Sequence, residues 1–256
     1  MKPAPIKVLT YNIHKGFSAA NLSFALHDIR SRIEETQADL VFLQEIQGLH
    51  LKRQDRVRDW PQASQFEYIA ARLWPHHAYG KNAIYKSGHH GNAILSRYPF
   101  QSWENLNVSR YRRASRSILH GIVRMPPDGA PLHTLCIHFD FMGGDRRKQI
   151  QTLVARIDSH IPPDEPLIIA GDFNDWQGRI RDGVGKALGL REVFVTLRGR
   201  PARTFPAWLP TLPLDRIYFR GLNAARCHRL KDRPDPRFAD HRLSDHLALY
   251  AEFRLG

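Results

Sequence analysis

The residues of this chain that are best suited to chemistry follow short apolar runs, at the points where buried strands are expected to end. Asp172 and Asn174 come directly after residues 167–170, and Glu45 comes directly after residues 40–44. Carboxylates and amides gathered at strand ends can bind a divalent cation, polarise a phosphate and activate a water molecule. These residue types and their positions therefore predict a hydrolytic site for phosphate esters.

The spacing of Asp172 and Asn174 supports this prediction. Residues two apart in extended chain face the same side, so the carboxylate and the amide would point together into a cleft. The carboxylate suits a hard cation or an attacking water, and the amide can donate to a phosphoryl oxygen. The alternative interpretation is a polar Asx turn that follows a strand.

The imidazole candidates are His246 and His138. His246 follows Asp245 just before the final apolar run, and a carboxylate near a histidine can fix its tautomer and raise its basicity. Asp215 is the candidate partner that orients His246 across the cleft. His138 ends the apolar run 132–137 and is a candidate donor to a phosphate oxygen, the alternative being a core histidine with satisfied hydrogen bonds.

Two further strand ends offer oxygen ligands for a metal ion. Glu45 is well placed to bind Mg²⁺, which takes only one or two protein carboxylates, and Asn12 ends the first strand and can supply an amide oxygen. The alternatives are a solvated strand end for Glu45 and an ordinary loop residue for Asn12.

Length and composition favour one domain that spans residues 1–256. The chain contains no Gly/Ser tract, internal repeat or low-complexity block that would mark a linker, and it is long enough for a two-sheet core. Its N-terminus lacks the apolar core of a signal peptide, and no apolar run reaches the length of a membrane span. We therefore expect a soluble, cytoplasmic protein without a transmembrane segment, and a monomer.

The net charge of +13 favours a polyanionic partner: nucleic acid, an anionic phospholipid surface or a phosphorylated small molecule. Solubility alone is the alternative. The basic residues cluster in three segments, which suit a phosphate backbone but are also compatible with solvated faces. These segments are residues 51–60, Tyr111-Arg112-Arg113 with Arg116, and Arg146-Arg147-Lys148.

The hydrophobic pattern predicts a mixed α/β fold. Helical spacing predicts helices over residues 22–37 with Asn21 as the cap, 64–73, 145–160 and near 182–188. Short apolar or alternating runs predict strands, among them a pair on either side of the turn at residues 126–129. Many strands with few helices favour two packed mixed sheets with helices outside.

Taken in order, seven motifs resemble those of the endonuclease/exonuclease/phosphatase superfamily, whose members share a DNase I-like fold. The standalone bacterial members of unknown substrate are the most similar. The motifs are Thr10-Tyr11-Asn12-Ile13, Leu43-Gln44-Glu45, residues 91–97, Ile137-His138, Gly171-Asp172-Phe173-Asn174, Leu214-Asp215-Arg216-Ile217 and Ser244-Asp245-His246.

The resemblance implies a four-layer α-β-β-α sandwich and a role for each site residue. Glu45, with Asn12 and Asp245, would hold Mg²⁺ or Mn²⁺. Asp172 would orient or deprotonate the attacking water, and Asn174 and His138 would contact the phosphate. Asp215 would orient His246, which would bind the phosphate or serve as the base.

Five residues are candidate substrate contacts: Asn92, Arg116, Arg146, Arg147 and Trp208. Asn92 belongs to one of the motifs, and the arginines belong to the basic segments. Trp208 lies in Pro206-Ala207-Trp208, which is similar to a stretch of inositol-polyphosphate 5-phosphatases but is separated here from Asp215-Arg216 by residues 209–214.

Three functional hypotheses follow. The first is a metal-dependent phosphodiesterase that acts as a nuclease on DNA or RNA. The second is a phospholipid or phosphorylated-headgroup hydrolase that uses the same site. The third is a non-enzymatic module that binds nucleic acid or lipid.

Overall fold

The apolar side chains of the first strand, β1 (Ile6–Asn12), point alternately to its two faces, and each face packs against a different layer. Val8 faces a core that is shared with residues of a second sheet, whereas Leu9 faces a core that is shared with helices. This alternation follows from the two-residue period of a strand. A strand that is apolar on both faces must lie between two layers, and the same holds for its neighbours.

The computed structural model describes residues 4–21, 23–109, 116–141, 143–178, 180, 185–230 and 242–255. A short 3₁₀ turn covers His14–Gly16, and the helices are α1 (Leu26–Glu35), α2 (Leu51–Gln54), α3 (Gln65–Ala70), α4 (Gly143–His160) and α5 (Val193–Arg198). The strands after β1 are β2 (Leu40–His50), β3 (His76–Tyr85), β4 (Gly88–Ser96), β5 (Phe100–Asn107), β6 (Ser117–Met125), β7 (Ala130–His138), β8 (Leu167–Asp172), β9 (Arg191–Glu192), β10 (Asp215–Arg220), β11 (Leu222–Arg229) and β12 (Leu249–Leu255).

The strands form two mixed sheets of six strands each. The order is β11-β12-β1-β2-β4-β3 in the first sheet and β5-β6-β7-β8-β10-β9 in the second. Each sheet contains one parallel pair, β1 with β2 and β7 with β8, and the other pairs are antiparallel. The predicted hairpin is confirmed, because β6 pairs with β7 on either side of residues 126–129.

Three apolar cores separate four layers. The central core joins the two sheets through residues such as Phe42 and Ile168. A second core packs α1 and α3 on the first sheet, and a third packs α4 on the second. The predicted fold class, a four-layer sandwich with helices outside two packed sheets, is confirmed.

Some predicted boundaries were wrong. Helix α1 begins at Leu26 rather than at residue 22, and its N-cap is Ala25, without a side-chain hydrogen bond. Asn21 adopts a positive φ instead, and its amide contacts the ring of His14. The reason is a β-bridge between Phe17 and Phe24, because Phe24 lies in the segment that we predicted to be helical.

Two predicted features fall partly or wholly on residues outside those described. They are the basic segment Tyr111-Arg112-Arg113 and most of the helix near residues 182–188. Among the described residues, no helix combines the length and the apolar character needed to cross a membrane.

Candidate active site

Strand ends from both sheets meet at one end of the sandwich. Asn12 closes β1 in the first sheet, and Asp172 closes β8 in the second. The Asn12 amide Nδ2 donates to Asp172 Oδ2 over 3.3 Å, although the two residues are 160 positions apart. A second hydrogen bond joins the first and last motifs, because Ser244 Oγ donates to the Asn12 carbonyl over 2.7 Å. The predicted convergence of distant motifs is therefore present.

The carboxylate of Asp172 lies at the centre of this cluster. His138 Nε2 lies 3.5 Å and His246 Nε2 lies 3.9 Å from Asp172 Oδ2, while Asp172 Oδ1 accepts the backbone N–H of Asn174. Burial raises the pKa of Asp172 above its ordinary value, against the opposing effect of His246. A buried carboxylate with a raised pKa is suited to accept a proton near neutral pH.

The Gly-Asp-Phe-Asn motif begins with a glycine for a steric reason. Gly171 has φ +145, and a Cβ there would lie 2.0 Å from the carbonyl oxygen of Ile137 on the neighbouring strand. Only glycine allows β7 and β8 to approach so closely at this point. Because His138 follows Ile137, this approach also brings His138 beside Asp172.

The predicted pairing of Asp215 with His246 is present. His246 Nδ1 and Asp215 Oδ2 are 2.8 Å apart, and both side chains are buried. An ionised carboxylate only accepts, so Nδ1 carries a proton. Burial alone would lower the pKa of His246, but the charge and the hydrogen bond of Asp215 outweigh it and raise the pKa. These interactions favour the imidazolium form of His246.

His138 has the opposite electrostatic character. Burial, followed by the positive charge of Arg116, holds the pKa of His138 well below its ordinary value. His138 and His246 therefore differ in charge, because Asp215 hydrogen-bonds His246 whereas the positive charge of Arg116 acts on the buried His138.

Glu45 reaches the cluster through a β-bulge. The register between β2 and β4 shifts between Leu43 and Ile46, and Glu45 adopts φ +56. A positive φ at a non-glycine residue is uncommon and is often stored at functional sites. We predicted that the strand ends at Glu45, but it continues to His50. The bulge, rather than a strand end, turns the Glu45 side chain towards the cluster.

Lys15 neutralises Glu45. Its Nζ lies 2.6 Å from Glu45 Oε2. Burial would raise the pKa of Glu45, but nearby positive charge, including the ammonium of Lys15, outweighs it and holds the pKa below the ordinary value of a glutamate. The ionised form of Glu45 is therefore favoured, and it already pairs with the Lys15 ammonium.

The donors fit a hard, oxygen-preferring cation such as Mg²⁺ or Mn²⁺ better than they fit Zn²⁺. Among the described residues, no group of three or more His, Cys, Asp or Glu side chains is arranged to hold a metal. Zinc sites need three or four such ligands, whereas Mg²⁺ binds through one or two carboxylates, water and substrate phosphate. An ionised Glu45 that already pairs with the ammonium group of Lys15 fits the Mg²⁺ pattern.

Asn12 and Asp245 differ in what they offer to such an ion. Asn12 Oδ1 accepts the backbone N–H of His14, and its amide Nδ2 donates to Asp172, so both ends of its side chain already have a partner. The carboxylate of Asp245 is partly exposed and lies 3.8 Å from His14 Nδ1. Asp245 is thus the more available of the two.

The structure corrects the geometry expected for Asn174. The residue has φ +49, so it does not continue the extended chain and does not share a face with Asp172. Its side-chain amide donates to the carbonyl of Phe139 over 2.9 Å. The segment is the Asx turn that we considered as the alternative, and it aims a backbone N–H, rather than the amide, at Asp172.

Arg146 is likewise not a free substrate contact. It is buried, donates to the carbonyls of Phe141 and Asn174, and its guanidinium lies over the ring of Trp176. It therefore anchors the loop after β8. Arg147, the next residue along α4, is exposed to solvent.

The other predicted contacts occupy three different environments. Asn92 is buried and its amide donates to the carbonyl of Ser117, which ties the first sheet to the second. Arg116 pairs with Asp140 at 3.1 Å, and its charge acts on His138 and Asp172. Trp208 is 62% exposed at the tip of a loop whose neighbour Ala207 donates to the Asp245 carbonyl.

Sequence reasoning missed Lys15 and His90. Lys15 lies three residues after Asn12, and a positive φ places it over Glu45. His90 precedes the motif at residues 91–97; it is near enough to act on His138, and burial lowers its own pKa to about 4. Proximity to a motif was the only signal available for either residue.

Two packed mixed sheets with helices outside define the class of proteins with a DNase I-like fold. Residues 9–246 match the model of the Endonuclease/Exonuclease/phosphatase family, and the chain belongs to that family. Its members act as nucleases, phosphodiesterases or phosphatases and generally use divalent metal ions.

The chain is also similar to other proteins in sequence and in fold. YbhP, an uncharacterized protein of Escherichia coli K12, is 41% identical over 249 residues, which cover 97% of this chain and 96% of YbhP. An endonuclease/exonuclease/phosphatase from Beutenbergia cavernae superposes with a TM-score of 0.74 at 18% identity, covering 99% of this chain and 72% of that one. A D. rerio TDP2 complexed with single strand DNA product has a TM-score of 0.72 at 18% identity, covering 98% and 100%.

Proposed function

We propose that the protein is a divalent-metal-dependent phosphodiesterase that cleaves nucleic acid. The observation that carries the proposal is the central position of Asp172, which contacts Asn12, His138 and His246. Asp215 forms a hydrogen bond with the other ring nitrogen of His246. Phosphodiester cleavage needs charge neutralisation on phosphate oxygens, a water aligned for attack and a stabilised leaving oxygen. This cluster contains a group for each requirement.

The electrostatics of the site assign these roles. Asp172, with its raised pKa, is the candidate base that accepts a proton from water. His246 is an imidazolium and can donate to a phosphate oxygen, but it cannot be the base in this state. His138 is neutral and can donate one hydrogen bond to the phosphate.

Glu45 is the residue that would hold Mg²⁺ or Mn²⁺, with Asp245 as a second oxygen donor. Such an ion supplies a Lewis acid for the phosphate oxygens when bound. The Lys15 ammonium already balances the charge of Glu45, so a cation would have to displace it or share the carboxylate.

The net charge of +13 supports a polyanionic substrate. A nucleic acid presents repeated phosphates and can use many cationic contacts, whereas a small phosphorylated metabolite can use only a few. We therefore place DNA or RNA ahead of small molecules.

The test is hydrolysis by purified wild-type protein and Asp172→Asn with Mg²⁺ or Mn²⁺. We expect Asp172→Asn to lower kcat on an oligonucleotide by about 10²-fold or more, because the base is removed while the shape is kept. Asp128→Asn is the matched control, since Asp128 is exposed in the β6–β7 turn at the other end of the sheets. Full activity of Asp172→Asn would refute the role of Asp172.

A phospholipid hydrolase is the second candidate, and one observation favours it. Trp208 and Leu209 are 62% and 64% exposed at a loop tip beside the cleft, and such an apolar tip near basic residues suits an anionic membrane surface. A panel of plasmid, single-stranded oligonucleotide and phospholipid vesicles separates the two. Cleavage of the lipid with the nucleic acids left intact would reverse the order, and binding without turnover would favour a non-enzymatic module.

A further inference from the structure

A cavity rich in arginine lies beside the catalytic cleft. It has a volume of about 780 Å³, and its rim carries Arg198, Arg200, Arg203 and Arg229. We call it the arginine cavity. Its volume lies within the range of small-molecule sites, about 300–1,000 Å³.

The described lining of the arginine cavity carries four guanidinium groups. None of its described lining residues is an Asp or a Glu. Two of the guanidinium groups are held by backbone carbonyls: Arg229 donates to Arg203 over 2.6 Å, and Arg198 donates to Cys227 over 3.4 Å. Backbone carbonyls position these cations but leave their full charge available for an anion.

The inner surface of the cavity is apolar. Trp176, Phe194 and Leu212 line it, together with Pro201 and Pro213. Trp176 is held in place by stacking on Phe141, with ring centroids 4.4 Å apart, and by the guanidinium of Arg146. An aromatic and proline surface below a cationic rim matches a nucleotide, whose base is flat and whose phosphate is anionic.

The cavity and the catalytic cleft share a wall. Leu212, which lines the cavity, forms a β-bridge with Phe205, whose ring lies 5.0 Å from that of His246. On the other side, Arg146 donates to the carbonyl of Asn174 and packs on Trp176. A chain with its scissile phosphate at Asp172 therefore needs to extend only a short way to reach the arginine cavity.

We propose that the arginine cavity binds the phosphates and a base of a single-stranded nucleic acid next to the bond that is cleaved. This inference rests on the proposed function, because it assigns the path of the substrate at the same site. A recessed pocket admits an unstacked base, whereas a paired base in a duplex has its faces covered. A flat membrane surface would not enter the pocket.

The test measures binding separately from catalysis. The probe is a fluorescein-labelled single-stranded DNA of about 15 nucleotides, added to Asp172→Asn protein with EDTA, and its anisotropy is followed as salt is varied. Adding Arg200→Gln and Arg203→Gln should weaken binding roughly 20-fold at 0.1 M salt and reduce the salt slope by about 1.4, or about 0.7 per lost phosphate contact. Both arginines are exposed, so the fold should tolerate these changes.

The matched control is Arg72→Gln with Arg124→Gln in the same background. Both residues are exposed and lie towards the opposite end of the sheets, and the pair removes the same charge. Equal weakening by the two pairs would overturn the inference, since it would then be an effect of net charge. Arginine-dependent binding to anionic vesicles, with no binding of the DNA, would overturn it in favour of a lipid surface.

A kinetic comparison separates failure of this inference from failure of the proposed function. In catalytically intact protein, Arg200→Gln/Arg203→Gln should lower kcat/KM on the oligonucleotide by roughly 10-fold or more and leave hydrolysis of bis(p-nitrophenyl) phosphate unchanged. An equal loss on both substrates would contradict the assignment of the cavity. If wild-type protein hydrolyses neither substrate, the proposed function fails, whatever the binding measurements show.

Discussion

At the scale of single residues, the two histidines Asp172 lies near, His138 and His246, differ in their charged neighbours. Asp215 holds a proton on His246, while His138 is buried beside the positive charge of Arg116 and stays neutral. Sequence alone left open whether His246 serves as a base or binds the phosphate. The 2.8 Å contact with Asp215 favours the imidazolium, and so favours phosphate binding.

Asp215→Asn tests this dependence. The amide keeps the size of the side chain but removes the charge that stabilises the imidazolium, so we expect kcat to fall by about 10²-fold with little change in KM. Steady-state kinetics on the oligonucleotide, with a thermal melt to establish folding, provide the measurement. An unchanged kcat in a folded variant would show that Asp215 does not act through His246.

At the scale of elements, the site depends on irregular backbone in otherwise regular strands. The bulge in β2 turns Glu45 inward, and Gly171 lets β8 approach β7. The hydrophobic periodicity predicted these strands, but it carried no signal for the bulge, because a bulge changes pairing without changing the apolar pattern.

Gly171→Ala should be among the most destabilising substitutions in the strands. Its Cβ would lie 2.0 Å from a backbone oxygen that cannot rotate away. We expect a loss of about 3 kcal/mol or more in the free energy of unfolding, measured by urea denaturation. Gly129→Ala is the control: its φ is +76, but a Cβ added there would have no neighbouring atom within 4 Å, so its loss should be about 1 kcal/mol.

A buried histidine pair under α4 makes stability depend on pH. Arg156 Nε donates to His120 Nδ1 over 3.0 Å, so the ring proton of neutral His120 lies on Nε2. Nε2 then donates to His133, whose other ring nitrogen faces Glu165. Burial, with the charge of neighbouring groups, lowers the pKa of His120 to about 3. The folded protein therefore excludes a proton that the unfolded chain accepts below about pH 6.5.

This arrangement predicts that stability falls as the pH falls from about 6.5 towards 3, by at most about 1.4 kcal/mol per pH unit from this residue. His120→Gln should flatten that dependence relative to wild type, whereas His77→Gln, at an exposed histidine, should not. Urea unfolding at a series of pH values gives the slopes. Parallel curves for wild type and His120→Gln would contradict the assignment.

At the scale of the whole molecule, the net charge of +13 is accompanied by a local cluster of four arginines at the arginine cavity. The charge was evident from composition, but its placement was not. Arg146, expected to contact substrate, is buried in a structural role, whereas Arg198 and Arg200, to which we assigned no function from the sequence, line a cavity.

The excess charge predicts strong salt dependence for a long anionic substrate. Raising salt from about 50 mM to about 200 mM should lower kcat/KM on the oligonucleotide by at least about 10-fold, because each phosphate contact releases a counterion. Hydrolysis of bis(p-nitrophenyl) phosphate should change little, since it carries one charge. Equal salt effects on both substrates would indicate that the cations do not contact the nucleic acid.

The order of apolar strands and the polar residues at their ends are properties of the sequence alone, and they sufficed to predict the two-sheet sandwich and to place Asp172, Asp215 and His246 in one site. Only the tertiary structure decided what each of these groups touches. The contacts that set protonation and availability join residues far apart in the chain: 31 positions for Asp215 and His246, and 160 for Asn12 and Asp172. Local periodicity carries no information about such pairs, because they form only when the two sheets pack together.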